Sequence, residues 1–270
     1  MRIEFDKMEG AGNDFVLIDN RDGKVADRLK TGLTIDYCRR CFGIGADGMI
    51  FLERDRELDF AWDFYNSDGS RAEMCGNGAR CAARFAVKIG AAGGPRMVFR
   101  TLAGPIRAEL TPVGTRVGLA DIALPASAEM LAAGGGKVEL WALNSGVPHA
   151  VILADDLAAA AVRRLGGEIR RHARFAPAGT NVNFIARLGG DRLAIRTYER
   201  GVEDETLACG TGCVAAGVVA GRFLGLSSPV TLETRGGGEL TVHFSLEGDR
   251  AAKVQLEGGA RLVFSGSFAI

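Results

Sequence analysis

No charge of either sign prevails in this chain of 270 residues: 33 Lys and Arg stand against 33 Asp and Glu. That balance argues against a sequence-wide nucleic-acid footprint. No apolar run approaches the length of a membrane span, because Arg or Asp interrupts every candidate, so no membrane partner is expected. The opening Met1-Arg2-Ile3-Glu4-Phe5-Asp6-Lys7 alternates charged and apolar residues and lacks a signal-peptide core. A cytoplasmic location is therefore expected, with the six cysteines kept as thiols rather than built into a disulfide framework. Histidine is scarce at three, and Cys38-x-x-Cys41 has no second pair or neighbouring His to complete a zinc site. No metal is expected. What is present, 47% hydrophobic and 24% charged residues, is the composition of a globular protein with a core to bury. The length suits one large domain or two of ordinary size.

Two glycine-rich cysteine elbows stand out against this background. Met74-Cys75-Gly76-Asn77-Gly78 lies in the first half and Ala208-Cys209-Gly210-Thr211-Gly212 in the second. Each follows a polar, acidic stretch and precedes a run that reads as helix, 79–88 and 213–223. A thiol placed where glycines turn the chain into a helix faces free backbone N–H groups and the positive end of the helix dipole. Such groups favour thiolate and can also hold a carboxylate. The pair therefore predicts two opposed acid/base thiols, usable near neutral pH, around one bound anion. A single Cys-Gly-x-Gly is more often a buried thiol beside a turn. Two copies in equivalent contexts favour the functional reading.

The rest of the chain reads as a repeat. Strands are expected at 2–5 and 16–19, joined by a glycine-rich turn over 9–14, then a helix at 28–41 and strands at 49–52 and 60–65 ahead of the first elbow. Short strands follow at 97–101, 106–110 and 116–119. A linker is expected over 125–136, which carries small residues and three consecutive glycines. Beyond it the order returns: strands at 137–143 and 150–153, a helix over 157–172, strands at 181–187 and 193–199, and the second elbow. Strands at 230–234, 239–245 and 252–257 close the second half. Tyr65 stands ten residues before Cys75, and Tyr198 eleven before Cys209. Two structural repeats, each a mixed sheet round a central helix, follow from this pattern. The halves are drawn at 1–124, completed by 258–270, and at 125–257.

Other polar residues are weaker signals. His149 ends the turn Asn144-Ser145-Gly146-Val147-Pro148 and is a candidate to tune a thiol, although a lone His is commonly structural. Glu199-Arg200 is the charge pair best suited to an amino-acid end, since Arg forks onto carboxylate and Glu accepts from ammonium. Asn13, Asn66, Asn77 and Asn181 sit in turns, where Asn is common anyway. Cys81 and Cys213 read as core thiols. The arginines at 163, 164, 170, 171 and 174 read as a solvated helix face.

Lys7-Met8-Glu9-Gly10-Ala11-Gly12-Asn13-Asp14-Phe15, Asn66-Ser67-Asp68-Gly69-Ser70, and Ala79-Arg80-Cys81 behind the first elbow resemble the diaminopimelate epimerase family. Gly179-Thr180-Asn181-Val182-Asn183-Phe184 and Tyr198-Glu199-Arg200-Gly201 continue the resemblance in the family's order, to about residue 217. The resemblance implies an isomerase interconverting LL- and meso-2,6-diaminoheptanedioate without pyridoxal phosphate, metal or other cofactor. It implies an α/β (α+β) fold of two pseudo-symmetric halves, each a mixed sheet or barrel round a central helix, with the site in the cleft and a homodimer as the assembly. Carried over by position, Cys75 and Cys209 would be the acid/base thiols. Asn13, Asn66, Asn181, Glu199 and Arg200 would hold the ends of the small diamino dicarboxylate. Gly76-Asn77 and Gly210-Thr211 would offer N–H groups to the reacting carboxylate, while His149 and Glu199 would adjust thiol protonation.

Departures from the family pattern are Glu9, Gly48, Val147, and a loop over 201–206 one residue longer than usual. A proline or hydroxyproline racemase shares the two-thiol design, but typically has His where Asn77 stands. A thiol redox or metal-binding protein would need a resolving cysteine or a complete ligand set, and local spacing provides neither.

Overall fold

A computed structural model describes residues 1–270. The chain divides into two compact units, Met1–Gly118 with Gly258–Ile270, and Leu119–Glu257.

The first unit begins with a hairpin. Strand β1 (Arg2–Gly10) runs into β2 (Asn13–Asp19) through a two-residue turn, Ala11 and Gly12, with φ of 57° and 83°. Both central residues are left-handed, the type I′ geometry that matches strand twist. The glycine-rich turn is thus narrower than 9–14, because pairing continues to Gly10 and Asn13. Helix α1 (Asp27–Cys38) leads to β3 (Gly48–Glu53), parallel to β2, and then to its antiparallel neighbour β4 (Phe60–Asn66). Helix α2 (Gly76–Lys88) follows, then β5 (Arg96–Thr101), β6 (Gly104–Thr111) and β7 (Gly114–Gly118). Ala79, Ala82, Ala83 and Ala86 give α2 a fully buried stripe at helical spacing. Their small side chains let it pack against β1, β2, β3, β6 and β7 at once. The wrapped central helix expected from the elbow is there.

The second unit has the same connectivity. It starts with β8 (Ile122–Ala123), β9 (Glu129–Ala133), β10 (Gly136–Asn144) and β11 (Pro148–Leu153), then α3 (Val162–Arg170). Next come β12 (Asn181–Gly189), parallel to β11, its antiparallel partner β13 (Arg192–Glu199), and the short β14 (Asp204–Thr206). Helix α4 (Gly210–Phe223), β15 (Val230–Thr234), β16 (Glu239–Glu247) and β17 (Arg250–Gly258) complete it. Val214, Ala215, Ala216, Val218, Val219 and Ala220 are all fully buried, so α4 is apolar nearly all round. In the first unit the chain's last strand, β18 (Arg261–Ala269), pairs antiparallel with β1, as β9 does with β10.

Two expectations fail. The linker over 125–136 is a hairpin: Gly134 and Gly135, with φ of 66° and 81°, turn β9 onto β10. The glycines serve the turn rather than flexibility. The helix expected over 157–172 is confined to Val162–Arg170. Upstream, the Arg196 guanidinium takes the carbonyls of Leu157, Ala158 and Ala160, and those acceptors serve a turn in place of a helical ladder.

Candidate active site

In the first unit Cys75 is the N-cap of α2, with extended backbone at φ −144°, and no side chain caps the helix. The N–H groups of its first turn have no intrahelical acceptor. The Cys75 sulfur lies 3.6 Å from Asn13 Oδ1, which also accepts from Asn77 Nδ2 at 3.2 Å. Two contacts set this orientation. Asn13 Nδ2 donates to Asp47 at 2.5 Å, and the fully buried Arg80 donates to Asn77 Oδ1 at 2.9 Å. An amide held by its nitrogen on a carboxylate turns its oxygen outward, so Cys75 faces an acceptor.

In the second unit Cys209 caps α4 in the same way, at φ −121° and without a side-chain cap. Its surroundings differ. Thr211 Oγ1 lies 3.5 Å from the sulfur and 3.0 Å from Nε2 of the buried His149. The Gly212 N–H also donates to the sulfur, and the Glu199 carboxylate accepts from it. Burial, then the negative charge of Glu199, pushes the Cys209 thiol well above its ordinary range against the opposing donors. The thiolate expected near neutral pH is overturned for Cys209: desolvation outweighs the helix end, and the resting group is the thiol. Burial likewise raises Glu199, which suits it to take a proton. Burial first and the Arg200 charge second depress His149 to about 3, so its imidazole is neutral.

The family model described as diaminopimelate epimerase matches residues 5–122 and 141–263. The chain belongs to the diaminopimelate epimerase family. The diaminopimelate epimerase of Aquifex aeolicus is 44% identical over 98% of this chain and 97% of its own length. That of Archaeoglobus fulgidus is 41% identical over 98% and 96%. Among solved structures, a Bacillus anthracis phenazine biosynthesis protein of the PhzF family superposes with a TM-score of 0.77 at 11% identity, covering all of both chains. A probable proline racemase from Agrobacterium radiobacter superposes at 0.70 with 16% identity, over 99% of this chain and 93% of its own. At such identities the likeness shows the mixed α/β fold alone.

The other sequence-predicted positions of the epimerase fall as follows. Asn181 is buried, and its amide oxygen accepts from the Arg200 backbone N–H at 2.7 Å. The Arg200 guanidinium donates to Ala178 O at 3.2 Å. Asn66 is exposed and its Nδ2 donates to Ser70 Oγ at 3.0 Å; across β3 and β4 it pairs with Gly48, the neighbour of Asp47. Glu9 is occupied by the Gly12 N–H and by Arg261. Gly48 lies so close to the Tyr65 carbonyl that an added Cβ would sit 2.6 Å from it. The longer loop over 201–206 folds into β14 against β13, clamped by Arg163 on Asp204 and by Arg170 and Arg171 on Glu203. Part of the basic face of α3 is therefore paired rather than merely solvated. Cys38 and Cys81 are buried, and burial pushes each thiol up to about 12.

Sequence reading missed Asn183, which sits between β11 and β13, and Ser145, whose hydroxyl donates to Thr211 O at 2.8 Å. It also missed Asp47 and Arg80 as holders of the first thiol's amides. Alternation along β12 assigns Asn183 to an inward row with Asn181 and Ile185, a signal that the turn-like composition of Thr180-Asn181-Val182-Asn183 hid.

Proposed function

We propose that this epimerase interconverts LL- and meso-2,6-diaminoheptanedioate without a cofactor, with Cys75 and Cys209 as the two acid/base groups. The observation that carries the proposal is the repeated device itself: each thiol is the N-cap residue of a helix, on extended backbone ahead of a glycine-rich first turn. An α-hydrogen is a weak acid, so charge developing on the substrate carboxylate must be stabilised as the proton leaves. First-turn N–H groups supply preorganised donors, each worth about 2.7–4 kcal/mol in such roles. Glu199 takes the Cys209 proton, leaving a thiolate that Thr211 and Gly212 stabilise. One sulfur then removes the α-proton while the other returns a proton to the opposite face. Asn181 and the Glu199-Arg200 segment serve the amino-acid ends of the substrate. The same reading includes a homodimer in the cytoplasm; Leu262, Val263 and Phe264 on β18 give an exposed apolar run for a second copy, which sedimentation of the purified protein checks.

Replacing either Cys75 or Cys209 by Ala is expected to lower turnover at least about a thousandfold. In heavy water, product formed by the wild type should carry deuterium at the inverted carbon. A C75A protein that keeps wild-type turnover, or product that retains its original hydrogen, defeats the two-base scheme. Turnover of proline in place of the diamino dicarboxylate would move the assignment to a racemase.

A further inference from the structure

We propose that Asn183 is a positioning residue that fixes the tautomer of His149, so that the Thr211 hydroxyl is donated to the Cys209 sulfur. The inference rests on the two-thiol reading for its functional meaning, but its geometry stands apart from that reading. Asn183 Nδ2 lies 3.1 Å from the Ala150 carbonyl, and its Oδ1 accepts from Thr197 Oγ1 at 3.0 Å. Those two contacts leave the amide only one orientation. The same Nδ2 is 3.0 Å from His149 Nδ1. Nitrogen of an amide donates and does not accept, so Nδ1 must present its lone pair. The neutral ring then carries its hydrogen on Nε2, which donates to Thr211 Oγ1 at 3.0 Å. Thr211 has one hydroxyl hydrogen, and the remaining neighbour for it is the sulfur at 3.5 Å. Ser145 holds the Thr211 carbonyl, so the residue does not swing away. Every hydrogen bond in the chain points one way, toward Cys209.

Packing alone does not require these polar groups. In the first unit Phe15 pairs with Gly48 across β2 and β3, as His149 pairs with Asn181 across β11 and β12. There a Cβ added at Gly78, the third residue after Cys75, would first meet Ile50; one added at Gly212, the third after Cys209, would first meet Asn183. The same two places are therefore filled by Phe15 and Ile50 in one unit and by His149 and Asn183 in the other. All four are buried. The fold accepts an apolar pair here, while the second unit carries two polar side chains that must be fully hydrogen-bonded to be tolerated. His149, kept neutral, does not itself exchange a proton with the thiol; it directs a hydroxyl. The titratable or charged groups that bear on the pair are Glu199 and Cys213 at the sulfur and Arg200 at the imidazole.

The test is nitrogen-15 NMR of the histidine rings in the full-length protein, with His172 and His243 replaced by Gln. The expected signature is a neutral His149 protonated at Nε2, unchanged from pH 7 to pH 5. A carboxylate accepts where the amide donated, so N183D should move the ring hydrogen to Nδ1 and turn Nε2 into an acceptor for Thr211. Alkylation of Cys209 against pH, followed in a C75S background, should then shift upward by about one unit, a tenfold loss of thiolate at fixed pH. T211V should give the same shift, and N183D with T211V should add nothing further. In otherwise wild-type enzyme kcat should fall about tenfold with KM little changed. An Nδ1–H or imidazolium form in the N183 protein, or additive effects of N183D and T211V on alkylation, overturns the proposal. Neither readout needs turnover, so loss of the two-thiol reading through an active C209A protein would be seen separately.

Discussion

At the scale of single residues, burial decides what the chemistry of a side chain will be. His149 and Cys209 move in opposite directions for one reason: each is kept neutral because its charged form is poorly solvated. The consequence for stability has a definite sign. Unfolded His149 titrates near 6.5 and the native residue at about 3, so between those values the unfolded chain binds the extra proton and stability falls as pH drops. The loss attributable to this residue is about 2 kcal/mol by pH 5. A protein carrying H149F and N183I, the pair that the first unit uses, should lose that dependence. Urea unfolding at pH 7 and pH 5 measures it; an unchanged difference between the two pH values would remove His149 as the cause. For Cys209 the raised thiol acts at the other end, withdrawing stability as pH climbs through the ordinary thiol range.

At the scale of elements, the two central helices share a glycine at the third position after the cysteine, yet for different neighbours. An added Cβ at Gly212 would sit 2.3 Å from Asn183 Oδ1, whereas at Gly78 it would meet the flexible end of Ile50 at 3.2 Å. Gly212→Ala must displace an amide locked by its hydrogen bonds to Thr197, Ala150 and His149, and should destabilise by about 1–3 kcal/mol. Gly78→Ala should cost clearly less, because a methyl group can rotate aside and a helical alanine is otherwise favourable. Thermal unfolding of the two variants side by side decides the matter; equal losses would mean that the amide is not held. The elbows were legible as helix starts because glycine, cysteine and a following small-residue run are local signals. The late start of α3 was not, since the donor that takes the carbonyls ahead of it is Arg196, far along the chain.

At the scale of the whole molecule, the first unit is closed by chain from the opposite terminus. β18 pairs with β1 from Arg2 to Glu9, and the Gly259 carbonyl accepts from buried Arg80. Ending the chain at Glu257 should therefore strip hydrogen-exchange protection from residues 1–118 and leave it largely intact over 119–257. Uniform loss across both units would show that their stabilities are not separable in this way. The repeat was readable because the same order of apolar strands and helices returns after residue 136. The hairpin at Gly134 and Gly135 was not, because glycine in a left-handed turn and glycine in a flexible linker look alike until a partner strand is seen.

The amino-acid sequence by itself determined the family, the two thiols and their place at helix starts, since these depend on motifs a few residues long. It also indicated His149 and Glu199 as neighbours in chemistry through the family resemblance. Tertiary structure alone decided the polarity of each thiol's surroundings: an amide oxygen held toward Cys75 by Asp47 and Arg80, and a hydroxyl held toward Cys209 by His149 and Asn183. Those orientations arise from hydrogen bonds between residues distant in sequence. Which end of an amide faces a sulfur, and which nitrogen of an imidazole carries the hydrogen, is settled only when every partner around it is in place.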